Sequence, residues 1–191
     1  MAEDGPIVVG ISGASGAPIA VKVLEGLRAA GRSVALVASA AGLEVLRQEA
    51  GVDPPALARY AEHVYADTDV GAPLASGSRP TQGMAIVPCS STTAAKVALG
   101  LADTLLTRAA FVHLKERRRL VVVPRETPMP TVLLRHLTSL SEMGAVVLVA
   151  APAYYLQPRT IDDVTDYLAG KVLDHLGVPH RLYRGWKDGT P

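Results

Sequence analysis

The sequence predicts an α/β domain: a single doubly wound parallel sheet with helices on both faces, spanning all 191 residues. Three observations carry that expectation. Short β-branched runs alternate with helix-like apolar patterns along the whole chain. The first strand feeds a glycine- and serine-rich turn that opens directly into a helix. Hydrophobic residues make up 49% of the chain but aromatics only 4%. That Ala/Val/Leu-rich make-up suits strands buried on both faces, with apolar surface left for subunit contacts.

Ile7, Val8, Val9 and Ile11 make the first strand, and Gly10, Ser12, Gly13, Ser15 and Gly16 fall in and after it. Ile19, Val21, Val23, Leu24 and Leu27 then repeat with a helical period up to Gly31. Residues 33–37 read as a second strand and 40–50 as a helix closing at Gly51. Residues 52–80 hold Pro54-Pro55, Asp67, Asp69, Pro73 and the turn Ala75-Ser76-Gly77-Ser78, and read as one long functional loop. Strands are expected at 84–87, 120–123 and 145–149, and helices at 94–99, 103–116, 131–143 and 162–176. The core covers about residues 5–178, and 179–191 form a tail that contains Trp186.

A net charge of +1 gives no support for a nucleic-acid surface. One cysteine, Cys89, excludes an internal disulfide framework and suits a reducing cytoplasm. No apolar run is long enough to span a membrane, and no signal-peptide pattern is present. The five histidines lack metal-ligand spacing, so no metal is expected, and His136 and His180 are expected at the surface.

Strand, Gly/Ser turn and helix together aim backbone N–H groups and a helix N-terminus at an anion. The turn is neither common phosphate loop. Ala17-Pro18 stands where a P-loop needs Gly-Lys-Ser/Thr. Ser12 replaces the second glycine of the dinucleotide fingerprint, and the second strand ends in Ala38-Ser39-Ala40 rather than an acidic residue. A mononucleotide or other single phosphate is favoured over NAD. In open parallel sheets, ligands bind beyond the carboxyl ends of the strands. Four such ends carry polar groups here: 12–15, Ser39, 90–93 and Arg125-Glu126. A pocket is expected at that edge. Cys89 sits close by, but no base stands beside it in sequence, so a buried, inert thiol is expected.

GISGASGAPIA, ASGSRPTQGMAIVPCSSTT, LLTRAAFVHLKERRRLVVVPRETP and APAYYLQPRTIDDVTDYLAGKVLDHLGV, in that order, resemble the UbiX-type flavin prenyltransferases. The resemblance runs from about residue 5 to 186 and is most specific over 108–128 and 152–177. It implies a Rossmann-like, flavodoxin-like fold. It also implies the synthesis of prenylated FMN from reduced FMN and dimethylallyl phosphate without a metal. In that reaction the prenyl C1 joins flavin N5, and a second bond at C6 closes a ring. The product serves a separate decarboxylase, and the family assembles into large homo-oligomers, by resemblance a dodecamer.

By the same resemblance, Ser12, Gly13, Ala14, Ser15, Ser39, Ser90, Ser91, Thr92 and Thr93 meet the flavin. Small hydroxyls suit its phosphate, ribityl chain and ring edge because they donate and accept without adding charge. Read without the family, 90–93 is equally a helix N-cap. The resemblance assigns Arg125 to the flavin, where a guanidinium fork suits an electron-rich edge, and Glu126 to the reaction, as a proton acceptor or an aid to phosphate departure. Ser15, Glu49 and Lys115 join Glu126 as catalytic candidates. Tyr155 and Lys171 match the ligands of dimethylallyl phosphate; a phenol and an ammonium stabilise the departing phosphate. Arg108 is a further substrate-binding candidate, and Trp186 matches a residue that covers the prenyl pocket. Glu49, Arg108 and Lys115 are expected to come partly from neighbouring subunits.

The chain departs from the family in places. Lysine stands at 171, where many relatives have arginine. Leu133-Leu134-Arg135-His136-Leu137 replaces a His-Leu-Glu-Asn-Met-like stretch, and Val70 falls about where some relatives carry tryptophan. Two alternatives follow. One is a flavin carrier that binds FMN without prenylating it. The other is a flavin-dependent cysteine decarboxylase, whose Pro-Ala-Ser-Ala-Asn-Thr pattern is not matched by Pro88-Cys89-Ser90-Ser91-Thr92-Thr93.

Overall fold

The computed structural model describes residues 5–185. Six strands form one parallel sheet in the order β3-β2-β1-β4-β5-β6. They are β1 (Ile7–Ile11), β2 (Val34–Ala38), β3 (His63–Ala66), β4 (Gly83–Cys89), β5 (Leu120–Pro124) and β6 (Val146–Val147). The helices are α1 (Ala17–Ala29), α2 (Ala40–Ala50), α3 (Ser91–Ala98), α4 (Leu105–Lys115), α5 (Thr131–Glu142) and α6 (Ile161–Leu176). Strand order reverses between β1 and β4, which makes that gap the switch point of the doubly wound sheet.

Side-chain alternation along the strands builds two cores. Ile7, Val9, Ile11 and Leu36 pack with Leu24 and Leu27 of α1 and Leu168 and Leu173 of α6. Val8, Val37 and Ile86 face the other way, onto Val97 of α3, Leu106 of α4 and Leu137 of α5. Leu24 and Leu27 are fully buried, each contributing roughly 1.5–3 kcal/mol by leaving water.

Helix ends follow local chemistry. Ser39 accepts from the Gly42 N–H at 3.1 Å and caps α2, whose other end closes on left-handed Gly51. Thr104 with Thr107, and Thr160 with Asp163, form capping boxes on α4 and α6.

Three sequence expectations change. Residues 52–80 are not one loop, because β3 lies inside them. It is an edge strand whose four side chains are exposed or half-exposed, so no apolar run marks it. At the opposite edge, the regular part of β6 spans two residues instead of five, although the segment goes on bonding β5, with the Leu148 N–H donating to the Val122 carbonyl at 2.9 Å and the Ala150 N–H to that of Pro124 at 3.2 Å. The 84–87 strand extends through Pro88 to Cys89, with its register to β5 shifting between Ile86 and Cys89.

Candidate active site

The polar strand ends do converge. At the switch point, the buried Ser12 hydroxyl donates to the Pro88 carbonyl at 3.1 Å and accepts from the Ser90 N–H at 2.8 Å. Ser12 therefore ties β1 to β4, and its hydroxyl is already committed within the protein. Ser90 accepts from the Thr93 N–H at 3.2 Å and caps α3. That is the N-cap reading of 90–93, and the helix starts at Ser91, three residues earlier than expected. Gly13, Ser15 and Thr92 remain exposed around this tie. A Cβ on Gly13 would lie 2.4 Å from that of Ala41, and one on Gly42 would lie 2.3 Å from the Ile11 carbonyl. Glycine at both positions lets the β1 turn lie directly against the start of α2.

The N-terminus of α1 already holds an anion, the Glu49 carboxylate from the last turn of α2. It accepts from the N–H groups of Gly16 at 2.8 Å and Ala17 at 3.0 Å. The expectation of free N–H groups at this turn is thus corrected: a side chain of the same chain satisfies them. Partial burial opposes ionisation of Glu49. The Gly16 N–H, the Ser15 hydroxyl, the Ala17 N–H and the nearby Arg125 charge outweigh it and hold the carboxyl below its usual range. Arg125, exposed beyond β5, donates from Nε to the Ser15 carbonyl at 3.2 Å. Beside it, Glu126 accepts from the Ser91 hydroxyl at 2.9 Å. Ser15, Glu49, Ser91, Arg125 and Glu126 thus form one edge within a single protomer.

Cys89 is buried, and desolvation pushes its thiol up to about 12, which disfavours a thiolate at neutral pH.

Arg108 lies near the start of α4, exposed, on a helix whose Leu106 N–H is held by Asp67 at 2.8 Å. Lys115 sits at the other end of α4, where it pairs with Glu116. Since α4 runs back to the start of β5, Lys115 lies at the amino edge of the sheet, away from the strand ends above. A second group gathers on α6. Tyr167 stands beside Tyr155, and its ring meets that of Tyr183 edge-on at 5.1 Å. Lys171 donates to Asp174 at 3.2 Å and lies 5.9 Å from the centre of the Tyr183 ring. Tyr155 and Lys171, sixteen residues apart in sequence, thus meet through Tyr167 and Tyr183. A cavity of about 300 Å³ opens beside them, lined in part by Arg159, Tyr167, Tyr183 and Arg184.

His180 corrects the surface expectation, since its side chain is 9% exposed and its Nε2 lies 3.0 Å from Asp174. Sequence reading missed Asp174, His180, Tyr183 and Tyr167; the one available signal was the Lys171–Asp174 spacing of three within a helix. Trp186 lies outside the described residues.

Three strand ends and one guanidinium meeting at a switch point define a nucleotide-type site, and the family model described as Flavoprotein matches residues 1–173. The chain is 48% identical over 180 residues to the flavin prenyltransferase UbiX of Thermoplasma acidophilum, covering 94% of this chain and 99% of that protein. A dodecameric FMN-dependent UbiX-like decarboxylase from Escherichia coli O157:H7 superposes with a TM-score of 0.93 at 38% identity, covering 95% and 99% of the two chains. AnUbiX (PadA1), solved with FMN and dimethylallyl pyrophosphate, gives 0.89 at 37% identity over 96% and 99%. The chain belongs to the UbiX-type flavin prenyltransferase family.

Proposed function

We propose that the protein transfers a dimethylallyl group from dimethylallyl phosphate to N5 and C6 of reduced FMN, making prenylated FMN for a separate decarboxylase. The observation that carries the reading is the edge where Glu126, held by Ser91, stands beside Arg125, Ser15 and Glu49. The residues fit FMN: exposed Gly13, Ser15 and Thr92 supply small donors and backbone without charge, and Arg125 supplies one cation. Gly13, Ala14, Ser15, Ser39, Ser90, Ser91, Thr92, Thr93 and Arg125 hold the flavin, and Ser12 fixes the turn that presents them.

Reduced FMN supplies the nucleophilic N5 and C6. Tyr155 and Lys171 bind the phosphate and stabilise it as the allylic C–O bond breaks and the phosphate leaves with the electron pair. Glu126 would take the proton released from C6 as C6 bonds the prenyl C3, while the C2=C3 double bond opens and C2 takes up a proton in exchange. The Ser15 hydroxyl, beside Glu49, would offer a proton path to the bound flavin. Arg108 and Lys115 reach the site of a neighbouring subunit in a homo-oligomer. Such an enzyme suits a reducing cytoplasm.

The test is anaerobic incubation of the protein with reduced FMN and dimethylallyl phosphate, with the product read by mass. Flavin heavier by one prenyl unit is expected. Unchanged flavin with both the monophosphate and the diphosphate would overturn the transferase and leave a flavin carrier.

A further inference from the structure

We propose that Asp174 is a positioning residue that sets the Lys171 ammonium for the donor phosphate. This rests on the assignment of Lys171 to that phosphate. Three side chains of a small network meet at Asp174. Its Oδ2 accepts from Lys171 at 3.2 Å and from the Tyr183 hydroxyl, and its Oδ1 accepts from His180 Nε2 at 3.0 Å. The Leu182 N–H donates to His180 Nδ1 at 3.1 Å, so Nε2 carries the proton given to Asp174. Lys171 also lies beside Tyr183, its Nζ 5.9 Å from the centre of that ring, so ammonium, carboxylate and phenol form a triangle about Asp174.

Gly170 makes this possible. A Cβ there would come within 2.6 Å of the Tyr183 ring and 2.7 Å of the His180 ring, so only glycine admits segment 180–183 against α6. Asp174 lies one turn further along the same face. Burial disfavours its charge, but Tyr183, Lys171 and His180 together overcome that and keep it ionised.

The chemistry explains why a lysine needs such a frame. A guanidinium presents a planar fork already shaped for phosphate, whereas an ammonium is a point charge on a flexible stem. With one of its N–H donors held by Asp174 and the Tyr183 ring beside it, the ammonium is confined to a narrower range of positions. A phosphate oxygen within that range meets a pre-aimed donor, so less freedom is lost on binding.

The experiment measures KM for dimethylallyl phosphate, kcat and FMN affinity on the FMN-binding enzyme. Asp174→Asn is expected to raise KM about tenfold, with kcat within about twofold and FMN affinity unchanged, as befits loss of one charge-assisted contact. Asp174→Glu should recover part of the loss. In a Lys171→Ala background, Asp174→Asn should add nothing, because its effect passes through the ammonium. An equal KM increase in both backgrounds, or a parallel fall in FMN affinity, would overturn the inference. If Lys171→Ala itself leaves KM unchanged, the donor-site reading falls and the inference with it. Should Asp174→Asn not fold, Tyr183→Phe carries the test. About a threefold KM increase that vanishes without Lys171 is expected, and no increase counts against the proposal.

Discussion

At the amino ends of the strands, polar side chains bond to one another and to loop carbonyls. His113 accepts from Thr81 at 2.9 Å, Arg118 donates to the carbonyls of Gly77 at 2.5 Å and Arg79 at 2.7 Å, and Ser33 bonds Glu62 at 2.5 Å. At the carboxyl ends, Ser12, Glu49, Ser91 and Arg125 also make internal bonds, yet Gly13, Ser15, Thr92 and Arg125 remain exposed. Serine, arginine and glutamate serve at both ends. One end spends its polar groups on bracing; the other braces only enough to hold a row of donors in place. The difference separates stability from chemistry in space.

The largest expected effect lies at the carboxyl end. Glu126→Gln should lower turnover by about 10²–10⁴-fold while leaving the melting temperature and FMN binding close to the parent. A matching collapse of stability would break the comparison. Lys115 is the exception that sharpens it, since it lies at the amino edge yet is assigned to catalysis. If it serves a neighbour's site, oligomers assembled from Glu126→Gln and Lys115→Ala subunits should regain turnover that neither variant shows alone. No recovery would return Lys115 to its ion pair with Glu116.

The next effect belongs to the amino end. Burial is the main cause of His113 being pushed down to about 4, aided by the Arg118 charge and opposed by the Ala109 carbonyl. The unfolded chain, with an ordinary histidine near 6.5, takes up the proton first. Stability from this group is therefore complete above pH 6.5 and lost as pH falls towards 4, by about 3 kcal/mol in all. Denaturation midpoints measured across that window should fall, and His113→Gln should flatten the slope. An unchanged slope would show that the ring does not titrate as its burial requires. Gly42→Ala is where both ends of the comparison meet. The added Cβ strikes the Ile11 carbonyl, so a loss of roughly 2 kcal/mol is expected together with weaker FMN binding. The smallest effect is at Cys89, where removing a buried thiol through Cys89→Ala should cost roughly 1 kcal/mol and leave turnover intact.

The first strand, its turn and α1 were legible because local rules and burial agree there: a β-branched run, then glycines, then a helical period. Strand β3 was not legible, since an edge strand carries no apolar run and His63-Val64-Tyr65-Ala66 resembles the loop around it. The hydroxyls at the strand ends could be listed from sequence, but not which of them turn inward. Ser12 and Ser91 are of one residue type, and only the β1–β4 gap decides that the first ties strands while the second holds Glu126. Glu49 at the α1 N-terminus depends on how α2 packs, which no spacing encodes. The Asp174 network was hidden for the same reason: it needs segment 180–183 to fold back on α6.

The short borders of the sheet have a further consequence. With four residues in β3 and two regular ones in β6, an approaching strand from another copy finds only short borders along which to continue the ladder. Growth by edge-to-edge addition, the route to fibres, is starved of template at both ends. Association through side chains away from those borders can instead close into a shell with a definite number of members, which an open stack lacks.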